Sequence, residues 1–481
     1  MAISMKLNRK DLTNRILGCW IGKNIGGTMG TPFEGAQQLN DISGFNSPKG
    51  EPLPNDDLDL QLVWLRAMRD VGPKAMSANV LADYWLTAVT PHWNEYGIGK
   101  CNLEMGLLPP LSGEFRNDWK NSNGAWIRSE IWACLAPGLP EIAMKYAIMD
   151  ASIDHGLAEG TYAEMFTASL ESMAFFESDI RTLIEKALSF IPENCRVARS
   201  VRIVLKGYED GKTWKDVREE VLQDSHDLGW FQAPANIAFT MIGLLYGEGD
   251  FKKSLIIAID CGDDTDCTGA TSGALLGIIL GADGIPADWK EYIGDRIIPI
   301  CISASYRDYA PKTCTELTEQ VLDTMPEVLK AYGIELSLTD KETCSEEAIR
   351  ANILPGYRAQ VMKRSPWSFE VPATSHTYAY VEYEKEPSVK PLDDFSITVT
   401  LCNQRRNPYH YEVNVSLPEG WSADYPHTQY VEHRTMINDG TSKWTMKVHV
   451  GETVSSVNRI LIAFSPKGHA LPILIPSVLL G

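Results

Sequence analysis

At 481 residues and 53.5 kDa the chain has room for two or three domains. Its 22% charged and 44% hydrophobic residues exclude a disordered or fibrous polypeptide. Acidic residues number 63 against 44 basic ones, a formal net charge of −19, so neither nucleic acid nor a membrane surface is expected as a partner. Such a surplus serves solubility, or part of it gathers around metal ions.

From the N-terminus, Lys6, Arg9 and Lys10 are not followed by an apolar run of signal-peptide length, because Asp11 and Asn14 interrupt it. No uninterrupted 18-residue apolar stretch occurs, so no spanning helix is expected. The ten cysteines are scattered, and the closest pair, Cys261 and Cys267, is not a CxxC. They read as reduced thiols, and a cytoplasmic location is expected.

Residues from about 8 to about 350 predict helices. Apolar side chains recur at spacings of three and four through Pro140 to Gly156, Tyr162 to Phe190 and Ala235 to Tyr246, with Gly and Pro between. Two glycine ladders stand out: Gly18, Gly22, Gly26 and Gly30, then Gly269, Gly273, Gly277 and Gly281. A glycine inside a helix costs about 1 kcal/mol relative to alanine. A four-residue repeat therefore implies a smooth face against which another backbone comes close.

Each ladder lies beside an acidic cluster. Asn55 is followed by Asp56, Asp57 and Asp59, and the helix dipole favours one or two such acids in a first turn. Three within four positions repel one another, a strain that a cation would remove. The second cluster runs Asp260, Gly262, Asp263, Asp264, Thr265, Asp266, Cys267. Asp264 and Asp266 face apart on a regular helix, so they converge only if the chain is still turning, which Gly262 permits. Oxygen-rich sets of this kind suit magnesium, calcium or manganese; the competing reading is an acidic helix cap.

After about Tyr357 the texture changes. Thr377 to Tyr383, Phe395 to Leu401, Tyr411 to Leu417, Trp444 to Val450 and Arg459 to Phe464 are short, aromatic and β-branched, and predict the strands of a β-sandwich. The predicted organisation is mainly α: a helical domain over 1–350, a linker at 351–370 and a sandwich-like domain over 371–481. The stretch from Thr339 to Ser368, with charges at Lys341, Glu342, Glu346 and Glu347, supplies the connection.

Taken together, these motifs resemble the ADP-ribosylglycohydrolase family, over about residues 10 to 310. The resemblance rests on the first ladder through Pro32 and Glu34, on Asn55-Asp56-Asp57, and on Gly262 to Cys267 with the ladder behind it. Asn123 to Ser129 and Ala151 to His155 resemble the family's middle segments. It implies two magnesium ions, with manganese as an alternative, held by Asn55, Asp56, Asp57, Asp264 and Asp266. It also implies hydrolysis at the anomeric carbon of a ribose, on an ADP-ribosylated protein or a smaller ribosyl or glycosyl compound. Asp57, Glu34 and Asp56 are the candidates for moving the proton, Asp57 foremost. Glu34, Asn123, Gly124, His155, Gly262 and Asp263 are the candidate substrate contacts.

Asn55 stands where the family has Thr, and Cys267 where it has Thr or Ser; a thiol is a soft ligand ill suited to magnesium and counts against the second ion. Both departures support an alternative, a catalytically weak ADP-ribose- or nucleotide-binding protein of the same fold. A third reading takes Asp264, Asp266 and Thr268 as the D-x-D-x-T of an aspartyl-nucleophile phosphatase. That chemistry needs Asp264 at the tip of a parallel strand.

Overall fold

The computed structural model describes residues 3–341, 349–350, 352–371, 377–436 and 438–481. Glu342, Glu346 and Glu347, part of the expected connector, lie outside the described residues. The first part is mainly helical. The helices that matter to the site are α1 (Arg9–Gly30), α2 (Asp56–Val71), α3 (Asn94–Met105), α4 (Pro140–His155), α5 (Ala233–Gly247), α6 (Phe251–Asp260) and α7 (Thr265–Gly284). Two strands fall inside the stretch expected to be helical, β1 (Ile3–Asn8) and β2 (Ile334–Thr339), which pair in parallel. Their alternating patterns, Met5 and Leu7 buried on one, and on the other Ile334 buried with Leu336 and Leu338 half-buried, are too short to outweigh the helical periodicity around them. Among the described residues no single helix is long and apolar enough to cross a membrane.

The glycine ladders face each other. α1 and α7 run antiparallel, and Gly18 meets Gly277, Gly22 meets Gly273, and Gly26 meets Gly269. A Cβ on Gly26 would stand 1.9 Å from the Gly269 carbonyl oxygen, and one on Gly22 would stand 2.0 Å from that of Gly273. Both neighbours are backbone and cannot rotate away, so alanine is excluded and the helix-propensity penalty is the condition for this packing. The last rung reaches the acidic motif itself: a Cβ on Gly30 would meet the Thr265 carbonyl oxygen at 2.1 Å and Asp266 Cα at 2.5 Å.

Helix α2 starts where the sequence predicts. Asn55 caps it, its Oδ1 accepting the Asp57 N–H at 2.7 Å, and Gly72 at φ +73° ends it. Between α6 and α7 the chain turns through two left-handed residues, Gly262 (φ +79°) and Asp263 (φ +67°). Here glycine is required: a Cβ on Gly262 would lie 2.2 Å from the Gln38 carbonyl oxygen. Asp263 pairs with Ala36 as an antiparallel bridge, donating its N–H to the Ala36 carbonyl and accepting from Gly35 N–H, both at 2.8 Å. This bridge ties the segment after α1 to the start of α7.

The C-terminal strands form two sheets, ordered β11-β10-β6-β8 and β3-β4-β5-β9-β7. They are β3 (Ser368–Val371), β4 (Thr377–Tyr383), β5 (Asp394–Asn403), β6 (Tyr409–Ser416), β7 (Ser422–Asp424), β8 (Thr428–Val431), β9 (Thr441–His449), β10 (Val457–Pro466) and β11 (Ile473–Leu480). All five predicted strands are present, and among the described residues the strand pairings within the two sheets are antiparallel. Alternate residues such as Val381, Ile397, Val399, Trp444, Ile462 and Phe464 turn inward to a common apolar core.

By its internal contacts the chain forms two compact units. One comprises Met1–Gly97, Asp118–Ala151 and Leu157–Met362; the other comprises Ile98–Asn117, Ser152–Gly156 and Lys363–Gly481. The strand-rich unit thus includes two segments that the change of texture in the sequence assigns to the helical part. The reason is apolar: Leu107, Leu111 and Phe115 are buried in the same core as the strands.

Candidate active site

A cleft of about 700 Å³ opens where the helix starts of α2, α3 and α7 meet the segment after α1. All of its lining residues belong to the first unit. Asp264 occupies the N-cap position of α7 with non-helical backbone (φ −94°, ψ 78°), and Asp266 lies in the first turn. The turn before the helix is what lets these two carboxylates converge.

The two acidic clusters form one constellation. Carboxylate oxygens of Glu34, Asp264 and Asp266 lie within 4.8 Å of one another, and so do those of Asp57 and Asp266 with the Cys267 thiol. Asp266 belongs to both sets. Asp56 belongs to neither; it lines the cleft and accepts a hydrogen bond from the Tyr96 hydroxyl at 3.2 Å. Asn55 Nδ2 donates to Asp266 Oδ2 at 3.3 Å while its Oδ1 caps α2, so the amide oxygen expected as a metal ligand is engaged by backbone. Asn123 Nδ2 donates to Asp264 Oδ2 at 2.6 Å and its Oδ1 accepts from Trp126 Nε1 at 3.0 Å, which fixes both side chains.

Burial and mutual repulsion hold Glu34, Asp56, Asp57 and Asp264 toward their neutral forms. Glu34 is raised to about 8 by desolvation and by Asp266 and Asp56, although part of its side chain is open to solvent. Asp56 is raised to about 6 by burial and by Asp266. Asp264 and Asp57 are raised well above the usual carboxylate range, burial being the largest cause in each and Lys23 opposing it at Asp57. Burial keeps the Cys267 thiol protonated, and it donates weakly to Asp57 Oδ1 at 3.5 Å.

Behind the cleft floor Glu130 is met by a base. Lys23 Nζ bonds Glu130 Oε1 at 2.7 Å with both side chains buried. Burial works against the Lys23 charge, but Glu130 and Asp57 outweigh it and its pKa is raised. Gln61 links this pair to the site: its Nε2 donates to Glu130 Oε2 at 2.8 Å and to the Asp57 carbonyl at 3.0 Å. Asp59, the third acid of the first cluster, accepts the Ile300 and Cys301 N–H groups and so holds a segment of the cleft wall.

Five residues expected at the substrate are placed differently from one another. Asn123 and Gly124 line the cleft, and a Cβ on Gly124 would meet Glu95 Oε1 at 2.1 Å. Gly262 and Asp263 do not line it. The Asp263 carboxylate instead accepts from Phe231 N–H at 3.0 Å and Asn236 Nδ2 at 3.2 Å, and together the two residues hold the turn described above. His155 ends α4, is buried beside Asp154 (Nδ1 to Oδ1, 3.0 Å) and belongs to the second unit. Asp264 sits between two helices and not at a strand tip, so the phosphatase arrangement is absent. Sequence reasoning missed His92, Trp93, Glu95, Tyr96 and Phe231, which also line the cleft. The only signal for His92, Trp93, Glu95 and Tyr96 was the aromatic and acidic density just before and within the start of α3, and Phe231 lies far from it in the chain.

The ADP-ribosylglycohydrolase family profile matches residues 8–325, which include every residue of this cleft. The chain belongs to the ADP-ribosylglycohydrolase family. Membership supports a glycosyl-hydrolase type of activity, in a family that is typically metal-dependent and acts on ADP-ribosylated substrates. Among solved structures, an "ADP-ribosylglycohydrolase-related protein complex" is 19% identical, covering 66% of this chain and 99% of its own, with a TM-score of 0.44. A FixG-related protein from Vibrio parahaemolyticus is 13% identical over 22% of this chain and 97% of its own, with a TM-score of 0.19. The GAE domain of GGA2p from Saccharomyces cerevisiae is 10% identical over 23% of this chain and 96% of its own, with a TM-score of 0.18. Comparison with curated proteins gives no match.

Proposed function

We propose that the protein is a magnesium-dependent hydrolase that cleaves the glycosidic bond of ADP-ribose or of a related ribosyl or glycosyl compound. One observation carries the reading: two acidic motifs some 200 residues apart share Asp266 in one cleft of the family's domain. The donor set fits a hard divalent ion. It is rich in carboxylate oxygen, and the buried Asp57 Oδ2 has no hydrogen-bond partner. Asp57, Asp264 and Asp266 would hold the metal, with Glu34 within reach of the Asp264 side and Asp56 at the cleft wall. Bound magnesium supplies a Lewis acid that orients sugar hydroxyls and lowers the pKa of a water.

The protein's own residues do the rest. Asn123 and Asn55 hold Asp264 and Asp266 in place. Glu34 and Asp56 reach the cleft, and Glu34, partly open to solvent and beside Asp264 and Asp266, is placed to take a proton from water and return it to the leaving group. That favours Glu34 over Asp57 as the proton carrier, because Asp57 is buried against Lys23 and Cys267. Release of free sugar from ADP-ribosyl and ribosyl substrates under a magnesium titration tests the reading. Turnover should vanish with chelator and fall at least a hundredfold in Glu34→Gln; turnover indifferent to chelator would refute it.

A second reading, ligand binding without turnover, is favoured by the Asn55 oxygen being engaged and by Cys267 being a neutral thiol. Saturable binding with no product formed at any magnesium concentration would establish it instead.

A further inference from the structure

The donors around Asp266 differ on its two sides. Toward Glu34 and Asp264 the set is oxygen alone, the kind that suits magnesium. Toward Asp57 the third donor is the Cys267 sulfur, and all three side chains are buried. Of the described cysteines, Cys267 alone stands in such a group. Magnesium demands octahedral oxygen and takes sulfur poorly, whereas zinc binds carboxylate and thiolate together. The second set therefore does not fit the second magnesium that the family resemblance implies.

Two further observations point to an ion at this set. Asp57 is only 1% exposed, and its Oδ2 is buried without a hydrogen-bond partner. Cys267 Sγ lies 3.5 Å from Asp57 Oδ1. A tetrahedral zinc with sulfur at ~2.3 Å and oxygen at ~2.0 Å separates the two by about 3.5 Å. Asp266 and Cys267 also line the cleft, so three protein donors would hold the ion and leave its fourth position facing the cleft. Catalytic zinc sites have that pattern, whereas structural ones are closed by four protein ligands.

We infer that Asp57, Asp266 and Cys267 form a zinc-selective site beside the magnesium position, the two sharing Asp266, so that the centre takes two different ions. The inference rests on the metal-dependent hydrolase reading above and names its second ion. Binding exchanges the thiol proton, which leaves to solvent, for a zinc–sulfur bond, with no change of oxidation state.

Cobalt(II), whose bond to thiolate absorbs in the near ultraviolet, is the probe on the full chain, with zinc and magnesium calorimetry beside it. The cobalt–thiolate band should saturate at one equivalent and be displaced by zinc but not by excess magnesium. Zinc should bind about a hundredfold more tightly than magnesium. Cys267→Ser and Cys267→Thr should each abolish the band and weaken zinc about tenfold. Glu34→Gln, on the oxygen side, should keep it. Absence of the band, its undiminished survival in both Cys267 variants, or magnesium binding as tightly as zinc would each overturn the inference. Turnover on magnesium alone, with no zinc–thiolate site, would overturn it and leave the hydrolase reading intact. A zinc–thiolate site in a chain that hydrolyses no glycoside would uphold it and refute the hydrolase reading.

Discussion

The front and the back of the cleft floor use the same residue type in opposite ways. In front, Glu34, Asp264 and Asp266 gather with Asp56 beside them in the cleft, and burial and mutual repulsion push Glu34, Asp56 and Asp264 toward neutrality. Behind, Glu130 and Asp150 are fully buried and are met by Lys23 and Arg128 at 2.7 and 2.8 Å. Buried acids met by the protein's own bases thus stand behind a group of cleft acids that have none among the described residues. The contrast supports the metal site proposed above more strongly than any single carboxylate does.

The contrast breaks most visibly from behind. Lys23→Met strands Glu130 in the interior and should destabilise the fold by about 3–5 kcal/mol, measured by denaturant titration. Asp264→Asn and Asp56→Asn in front should instead leave the metal-free protein as stable as before or more so, since each relieves repulsion. Both should lower magnesium affinity. Their effects on turnover should be strongly non-additive, because either loss disables one constellation. Additive melting shifts that ignore magnesium would mark the acids as independent helix caps.

Acidity sharpens the same comparison. Glu34, Asp59 and Asp56 lie at about 8, 7 and 6 in the folded protein, against about 4 in an unfolded chain. Each therefore favours the fold fully below about pH 4, and that contribution is lost as pH rises through the folded values. Metal-free protein should melt higher at pH 6 than at pH 8, with solvent-exposed Glu34 contributing least for its shift. Saturating magnesium should flatten or reverse the trend. The smallest effect belongs to Cys267→Thr, which offers a hard oxygen beside Asp57 and should tighten magnesium a few-fold by calorimetry, with little change in melting.

Much of the arrangement was legible because it repeats or alternates. The ladders announced a backbone contact, and the strands from Thr377 to Phe464 announced their sheets. The acids of α2 and α7 announced a charge in need of a partner. What escaped depends on direction and distance. Nothing in the spacing of Gly262, Asp263, Asp264 and Asp266 says that Asp263 would turn to Phe231 and Asn236 while its neighbour turned to Asn123. Asn55 was read by its amide oxygen, yet that atom caps a helix. Lys23, a lone charge in a run of Gly and Ile, was the one sequence signal of the matched pair behind the floor. Its partner Glu130 lies 107 positions away and carries no local mark.

The ladders have an indexing problem of their own. Because glycine recurs every fourth residue on both helices, a slide of one rung, about 6 Å along the axis, would bring glycine opposite glycine again. The smooth faces tolerate several alignments and choose none. The choice is made at the ends. Thr265 Oγ1 clasps the Gly30 carbonyl at 2.8 Å, while at the far end Arg15 grips the Ile278 and Ile279 carbonyls and Asn14 takes the Asp283 N–H. These few bonds act as the stops of a vernier, and they set Glu34, just past one end, opposite Asp264 and Asp266.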